Sequence, residues 1–123
     1  MAITSFQQLG VWQKAHRLRL AIFNLVDTLP RDQGYAIPDQ IRRAAHSIPS
    51  NIAEAFGRRY ILEKLRFYNI AEASAEELKD DLILLRDRKH PFDFNRFWSD
   101  LEEVCRMLKG LIKSTELRVR EKG

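Results

Sequence analysis

One cysteine in 123 residues, Cys105, rules out an internal disulfide and any multi-cysteine metal site. Its place in an apolar helical pattern marks it as a buried structural thiol. Glycine and proline are scarce, five and four, which leaves room for few loops and points to long helices. No apolar run reaches the roughly 18 to 20 residues that cross a bilayer, and the opening MAITSFQQLG lacks the basic and apolar regions of a signal peptide. A cytoplasmic protein without membrane contact is the expectation. Catalytic patterns are missing too. His16, His46 and His90 are scattered and fit no H-E-x-x-H spacing, and there is no glycine-rich phosphate loop and no G-x-S-x-G. Glu72, Glu76 and Asp80 form a carboxylate row on one helix. A di-metal bundle site needs E-x-x-H partners from other helices, and no glutamate has a histidine three residues on. The chain reads as no enzyme, with no metal and no cofactor.

What is present fits one domain over residues 1–123, soluble because 31% charged residues balance 45% hydrophobic ones. The formal net charge is +4, and it is unevenly spread. Residues 67–85 hold Glu72, Glu76, Glu77, Asp80 and Asp81 against Lys79 alone, a net of −4 that leaves +8 for the rest. Such segregation suits a basic surface for nucleic acid. It suits equally an acidic helix docking on a basic helix of a neighbouring subunit.

Four helices follow from the spacing of apolar residues. Ser5 and Gln8 make a capping box for a first helix over about 5–29, whose buried stripe is Leu9, Trp12, Ala15, Leu18, Ile22, Leu25, Val26 and Leu29; Pro30 ends it. A polar connection with Gly34 covers 31–36. The second helix spans about 37–57, with Pro38 in its first turn, a kink expected at Pro49 and Gly57 as a left-handed cap. A third, about 60–89, has core positions Leu62, Leu65, Phe67 or Tyr68, Ile70, Ala71, Ser74, Leu78, Leu82 and Leu85. Its small-residue middle, Ala71 to Ala75, lets another helix approach closely and argues for self-association. Asp93 caps the fourth, about 93–117, built on Phe94, Phe97, Trp98, Leu101, Val104, Cys105, Leu108, Leu111 and Ile112; residues 118–123 read as a frayed, basic tail. The fold class is all-α, a four-helix bundle with short turns, antiparallel and up-and-down.

Gln40 to Arg59, QIRRAAHSIPSNIAEAFGRR, carries the most distinctive composition. At about 100° per residue Ile41, Ala45, Ile48, Ile52, Ala55 and Phe56 share an apolar arc. Arg43, Ser47, Ser50, Asn51, Glu54 and Arg58 gather opposite. Short hydroxyl and amide side chains between arginines suit hydrogen-bonded helix contact more than free exposure. With VWQKA before it and RFYNIAEASAEEL after it, this run resembles the bacterial four-helix-bundle family encoded in intervening sequences of 23S rRNA genes, which includes the accessory variability proteins of diversity-generating retroelements. The resemblance covers Phe6 to about Leu111. Two departures, Ala55 and the Ala73 to Ala75 run where glycine is common in the family, favour helix over flexibility. The resemblance implies a ring-like homo-oligomer, a pentamer, and for retroelement members a reverse transcriptase as protein partner.

Two readings of the cations follow. In one, Arg42, Arg43, Arg58, Arg59, Lys64 and Arg66 pair with the phosphates of RNA or DNA while Tyr60 stacks on a base. In the other, Glu54 bridges Arg43 or Arg58, on its own helix or another subunit's, and with Ser47 and Asn51 forms a stripe that locks helices or subunits together. Arginine serves both, because its planar fork pairs carboxylate or phosphate alike. The leading expectation is an oligomeric scaffold binding nucleic acid through its basic surface; the alternative is a purely structural or protein-interaction oligomer without that affinity.

Overall fold

Ser5 and Gln8 meet as a capping box, with Gln7 N donating to Ser5 Oγ at 3.2 Å and Ser5 N to Gln8 Oε1 at 3.1 Å. The turn they open is a 3₁₀ turn, Phe6–Gln8, and not the first turn of a long helix. Leu9 then adopts an extended conformation (φ −73°, ψ 124°), and the α-helix restarts as α1, Gly10–Val26. Gln8 Oε1 is also drawn back to Thr4 N at 2.7 Å, which commits this segment to the tighter turn. The predicted first helix, 5–29, is therefore two pieces, and it stops three residues short of Leu29. Thr28 folds its hydroxyl onto Leu25 O at 2.6 Å, while Thr28 N and Leu29 N close i to i−3 bonds; the helix tightens and ends.

The computed structural model describes residues 2–30 and 36–122. The predicted connection with Gly34 lies outside them, apart from Ala36. Three further helices follow: α2, Ala36–Gly57; α3, Ile61–Asp87; and α4, Phe94–Lys122. α2 continues through Pro49, which is buried. Gly57 does not take the left-handed role expected of it. The end of α2 is capped instead by Lys64, whose Nζ donates to Ala55 O at 3.1 Å and Phe56 O at 3.0 Å, a cation at the negative end of a helix dipole. The left-handed residue is Lys89, φ 64°, where His90 N reaches Leu85 O and Lys89 N reaches Arg86 O. These two bonds make a Schellman cap without glycine.

The core is one cluster drawn from all four helices. α1 supplies Val11, Ala15, Leu18, Ile22, Leu25 and Val26; α2 supplies Ile41, Ala44, Ala45, Ile48, Ile52 and Ala55; α4 supplies Leu101, Val104, Cys105 and Leu108. From α3 come Tyr68, Ala71, Ala75, Leu78, Leu82 and Leu85. Two expected core positions of α3 are corrected: Leu62 is 69% and Ile70 38% exposed, because both fall on the outer side of a helix whose inward stripe passes through Ala71 and Ser74. Tyr68, not Phe67, is the fully buried ring. α4 also outruns its predicted end. Thr115, fully buried, donates to Leu111 O at 2.8 Å, and the extension past residue 117 is helical to Lys122.

Contacts between helices fix their relative order. Lys64 meets Ala55 and Ser74 meets Ser47; Gly10 lies against Met107, and Lys14 bonds Glu103 at 2.9 Å. In each pair the numbers rise along one helix as they fall along the other.

Candidate nucleic-acid interface

The polar stripe of α2 meets α3 inside the chain. Ser47 Oγ accepts from Ser74 Oγ at 2.7 Å and from Asn51 Nδ2 at 2.9 Å, and Asn51 Nδ2 also reaches Ser47 O at 2.8 Å. The Asn51 amide therefore serves Ser47 and not the carbonyl that Pro49 leaves without a helical donor. Glu54 takes no part in this network; it pairs with Arg58 one turn on, at 3.0 Å.

The six cations named from the sequence separate into different settings. Arg42 is held between Asp27 at 3.2 Å and Asp39 at 3.3 Å. Sixteen helical residues, about 24 Å, separate it from Arg58, so one short ligand segment cannot touch both ends. Arg43 is exposed on α2. Lys64 is spent on capping α2. Burial, and then the charge of Arg118, hold its ammonium below the ordinary 10.5. Arg58 lies over the Phe67 ring at 4.7 Å, and Arg66 faces the same ring at 5.8 Å. Arg59 and Arg66 are exposed.

Three elements thus meet at one end of the molecule: the close of α2, the start of α3 and the end of α4. Arg118 belongs to this end, since its charge acts on both Lys64 and Tyr68 and its Nη2 donates to Thr115 Oγ1 at 3.4 Å. Residues 54–68 carry four cations against two carboxylates, and residues 113–122 again four against two. The sequence reading placed Arg118 in a frayed tail; the signal it passed over was Thr115 and Val119 continuing the spacing of Leu108 and Leu111. Tyr60, 63% exposed, is the N-cap residue of α3, next in sequence to Arg59.

Elsewhere the chemistry is structural. Arg19 donates from Nη2 to His16 Nδ1 at 2.7 Å and from Nη1 to His46 Nδ1 at 3.2 Å. A guanidinium only donates, so both imidazoles accept at Nδ1 and carry their proton on Nε2. Trp12 stacks on His16 at 4.9 Å, and burial lowers the Arg19 pKa from its ordinary value. His90 Nε2 meets Thr28 Oγ1 at 3.0 Å. Burial pushes the Cys105 thiol up, the opposite of an activated nucleophile. Among the described residues no group of three or more His, Cys, Asp or Glu could hold a metal, and no helix is long and apolar enough to cross a membrane. A groove of about 710 Å³ separates α1 from the start of α4, floored by Leu18, Leu25 and Phe97 and edged by Arg17, Arg96 and Asp100.

The chain is similar to a crystal structure from Bacteroides thetaiotaomicron, a protein of unknown function from the S23 ribosomal protein family, with a TM-score of 0.77 and 27% identity over 84% of this chain and 95% of that one. No curated protein matches it. The family model described as 23S rRNA-intervening sequence protein matches residues 7–110. With that match spanning most of its length, the chain belongs to the 23S rRNA-intervening sequence protein family.

Proposed function

We propose that this protein is a non-enzymatic scaffold that binds nucleic acid through the basic end formed by α2, α3 and α4. The observation that carries this reading is the convergence of Arg58, Arg66 and Arg118 around a capped helix terminus, with Arg59 next to Arg58 in the chain. Arg59, Arg66 and Arg118 are exposed; cations gathered on one surface attract a polyanion, and neutralising its phosphates releases condensed counterions. The reading includes an antiparallel up-and-down bundle, supported by the opposed order of contacts between helices. It also includes assembly into a ring-like homo-oligomer, a pentamer, in the cytoplasm, and an accessory role beside a protein partner such as a reverse transcriptase.

A second reading, an interaction oligomer without nucleic-acid affinity, draws on the outer surface of α3. There Leu62, Ile70 and Leu84 are exposed among Glu76, Glu77 and Asp80, an apolar and acidic face suited to another protein.

Binding to a structured RNA and a DNA duplex across a salt series, with oligomer mass followed by light scattering, separates the two. Under the first reading affinity falls steeply with salt, and replacing Arg58, Arg59, Arg66 and Arg118 with alanine flattens that slope by nearly one for each phosphate no longer neutralised. Arg42→Ala leaves it unchanged, since Arg42 lies about 24 Å along α2 from the basic end and is tied to two aspartates. No binding at low salt by an intact oligomer overturns the first reading and leaves the second.

A further inference from the structure

Tyr60 is the one exposed aromatic ring among the described residues; every other is buried or partly so. Phe6 packs on Trp12, and Phe94 stacks on Trp98. Phe56 and Phe67 lie beneath cations. No described ring or hydrogen-bonding group meets the Tyr60 side chain, although a tyrosine buries a large apolar surface wherever a fold can use it. Its backbone is extended, φ −99° and ψ 141°, at the junction between α2 and α3. The ring is thus carried on a short connection between two long helices. Leu62, 69% exposed, lies two residues on.

We infer that this end takes unpaired nucleotides, with one base stacked on the Tyr60 ring and the flanking phosphates held by Arg59, Arg66 and Arg118. The inference rests on the nucleic-acid reading above and narrows it to a ligand class. A paired duplex offers phosphates and base edges but hides its base faces, so it can use the arginines and not the ring. An unpaired base has a free π face, and stacking on an aromatic side chain serves every base alike. Of the three arginines, Arg66 is partly organised beforehand: it faces the Phe67 ring, which limits the rotamer freedom it loses on meeting phosphate. Glu54 already pairs with Arg58 at 3.0 Å, and Glu63, exposed one turn before Phe67, disfavours a phosphate on its own side of α3.

The test is fluorescence anisotropy with three probes, each made as RNA and as DNA: a pyrimidine single strand, a hairpin with an unpaired loop, and a blunt duplex of equal charge. They are titrated with the full chain, Tyr60→Ala and Tyr60→Phe. The single strand and the hairpin bind tighter than the duplex. Tyr60→Ala loses roughly five- to hundredfold on the unpaired probes, the range for one stacked base, and nothing on the duplex, while Tyr60→Phe keeps the affinity. Comparing the RNA and DNA arms shows which strand is preferred. Equal affinity for duplex and single strand, or an unchanged Tyr60→Ala, overturns the inference while leaving nucleic-acid binding in place. No binding of any probe at low salt removes both. A fall in oligomer mass on Tyr60→Ala assigns the ring to a contact between copies and overturns the inference.

Discussion

The α2–α3 side of the bundle and the α1–α4 side solve the same packing problem in opposite ways. Between α2 and α3 the contact is made by small residues: Ala71 and Ala75 are fully buried, and two serine hydroxyls, Ser47 and Ser74, approach to 2.7 Å. Between α1 and α4 the helices touch at Gly10 and Met107 and at the Lys14–Glu103 ion pair, and a groove opens beyond. Close approach follows from the absence of side-chain bulk, and hydroxyls can then bond across the seam because their reach is short. Where larger and charged side chains face each other, the backbones stay apart and a groove remains. Small residues set the geometry of one side; long ones leave the other unfilled.

Enlarging one residue on each side tests this contrast most strongly. Ala75→Leu forces three carbons into a filled seam and costs about 3 kcal/mol, whereas Ala21→Leu, at the groove, stays within about 0.5 kcal/mol; urea denaturation of both variants measures the difference, and equal costs would break the comparison. Next comes Asp81, 3% exposed, with an Oδ2 that no donor meets. It lies seven residues beyond Ser74, on the same face of α3. Burial first, then the charges of Glu77 and Asp80, push its carboxyl from 3.8 up to about 6. The folded chain therefore keeps a proton that the unfolded chain has already lost between those values. Stability is highest below about pH 4, declines as pH rises to about 6 and stays level above that, a total loss of about 3 kcal/mol from this group. Asp81→Asn removes that decline and stabilises the protein at pH 7.5 by up to about 3 kcal/mol, read from melts between pH 4 and 8.

Two smaller effects sharpen the same contrast. Ser74→Ala removes one donor from the seam and costs about 1 kcal/mol, measured as a shift in the denaturation midpoint with unchanged slope. Lys14→Ala removes the bridge across the looser side and costs less than about 0.5 kcal/mol, since both partners are more than a third exposed and solvent screens them. That cost shrinks further in high salt.

Helix number and the inward stripes of α1, α2 and α4 were legible in the sequence, because an apolar repeat near 3.6 residues has one physical reading over that many turns. Helix ends were less so. Gly57 looked like a cap, yet Lys64 caps α2 from seven residues away and Lys89 takes the left-handed turn that glycine usually fills. A local rule cannot see a donor that arrives from the next helix. α3 misled for a related reason: its apolar residues circle the helix, so periodicity alone could not separate Leu62 and Ile70 from the core. At the candidate site, the arginines and Tyr60 were visible as residue types, but not that Lys64 and Arg42 are committed elsewhere.

The sequence by itself determined an all-α chain of four helices, an acidic third helix and a basic remainder, because helix period and charge count are local properties. Only the tertiary structure decided that Arg118 joins Arg58, Arg59 and Arg66 at one end, that Ser47 meets Ser74, and that Asp81 is buried without a donor. Those facts depend on which helix faces lie together, and that is settled by the packing of side chains distant in sequence.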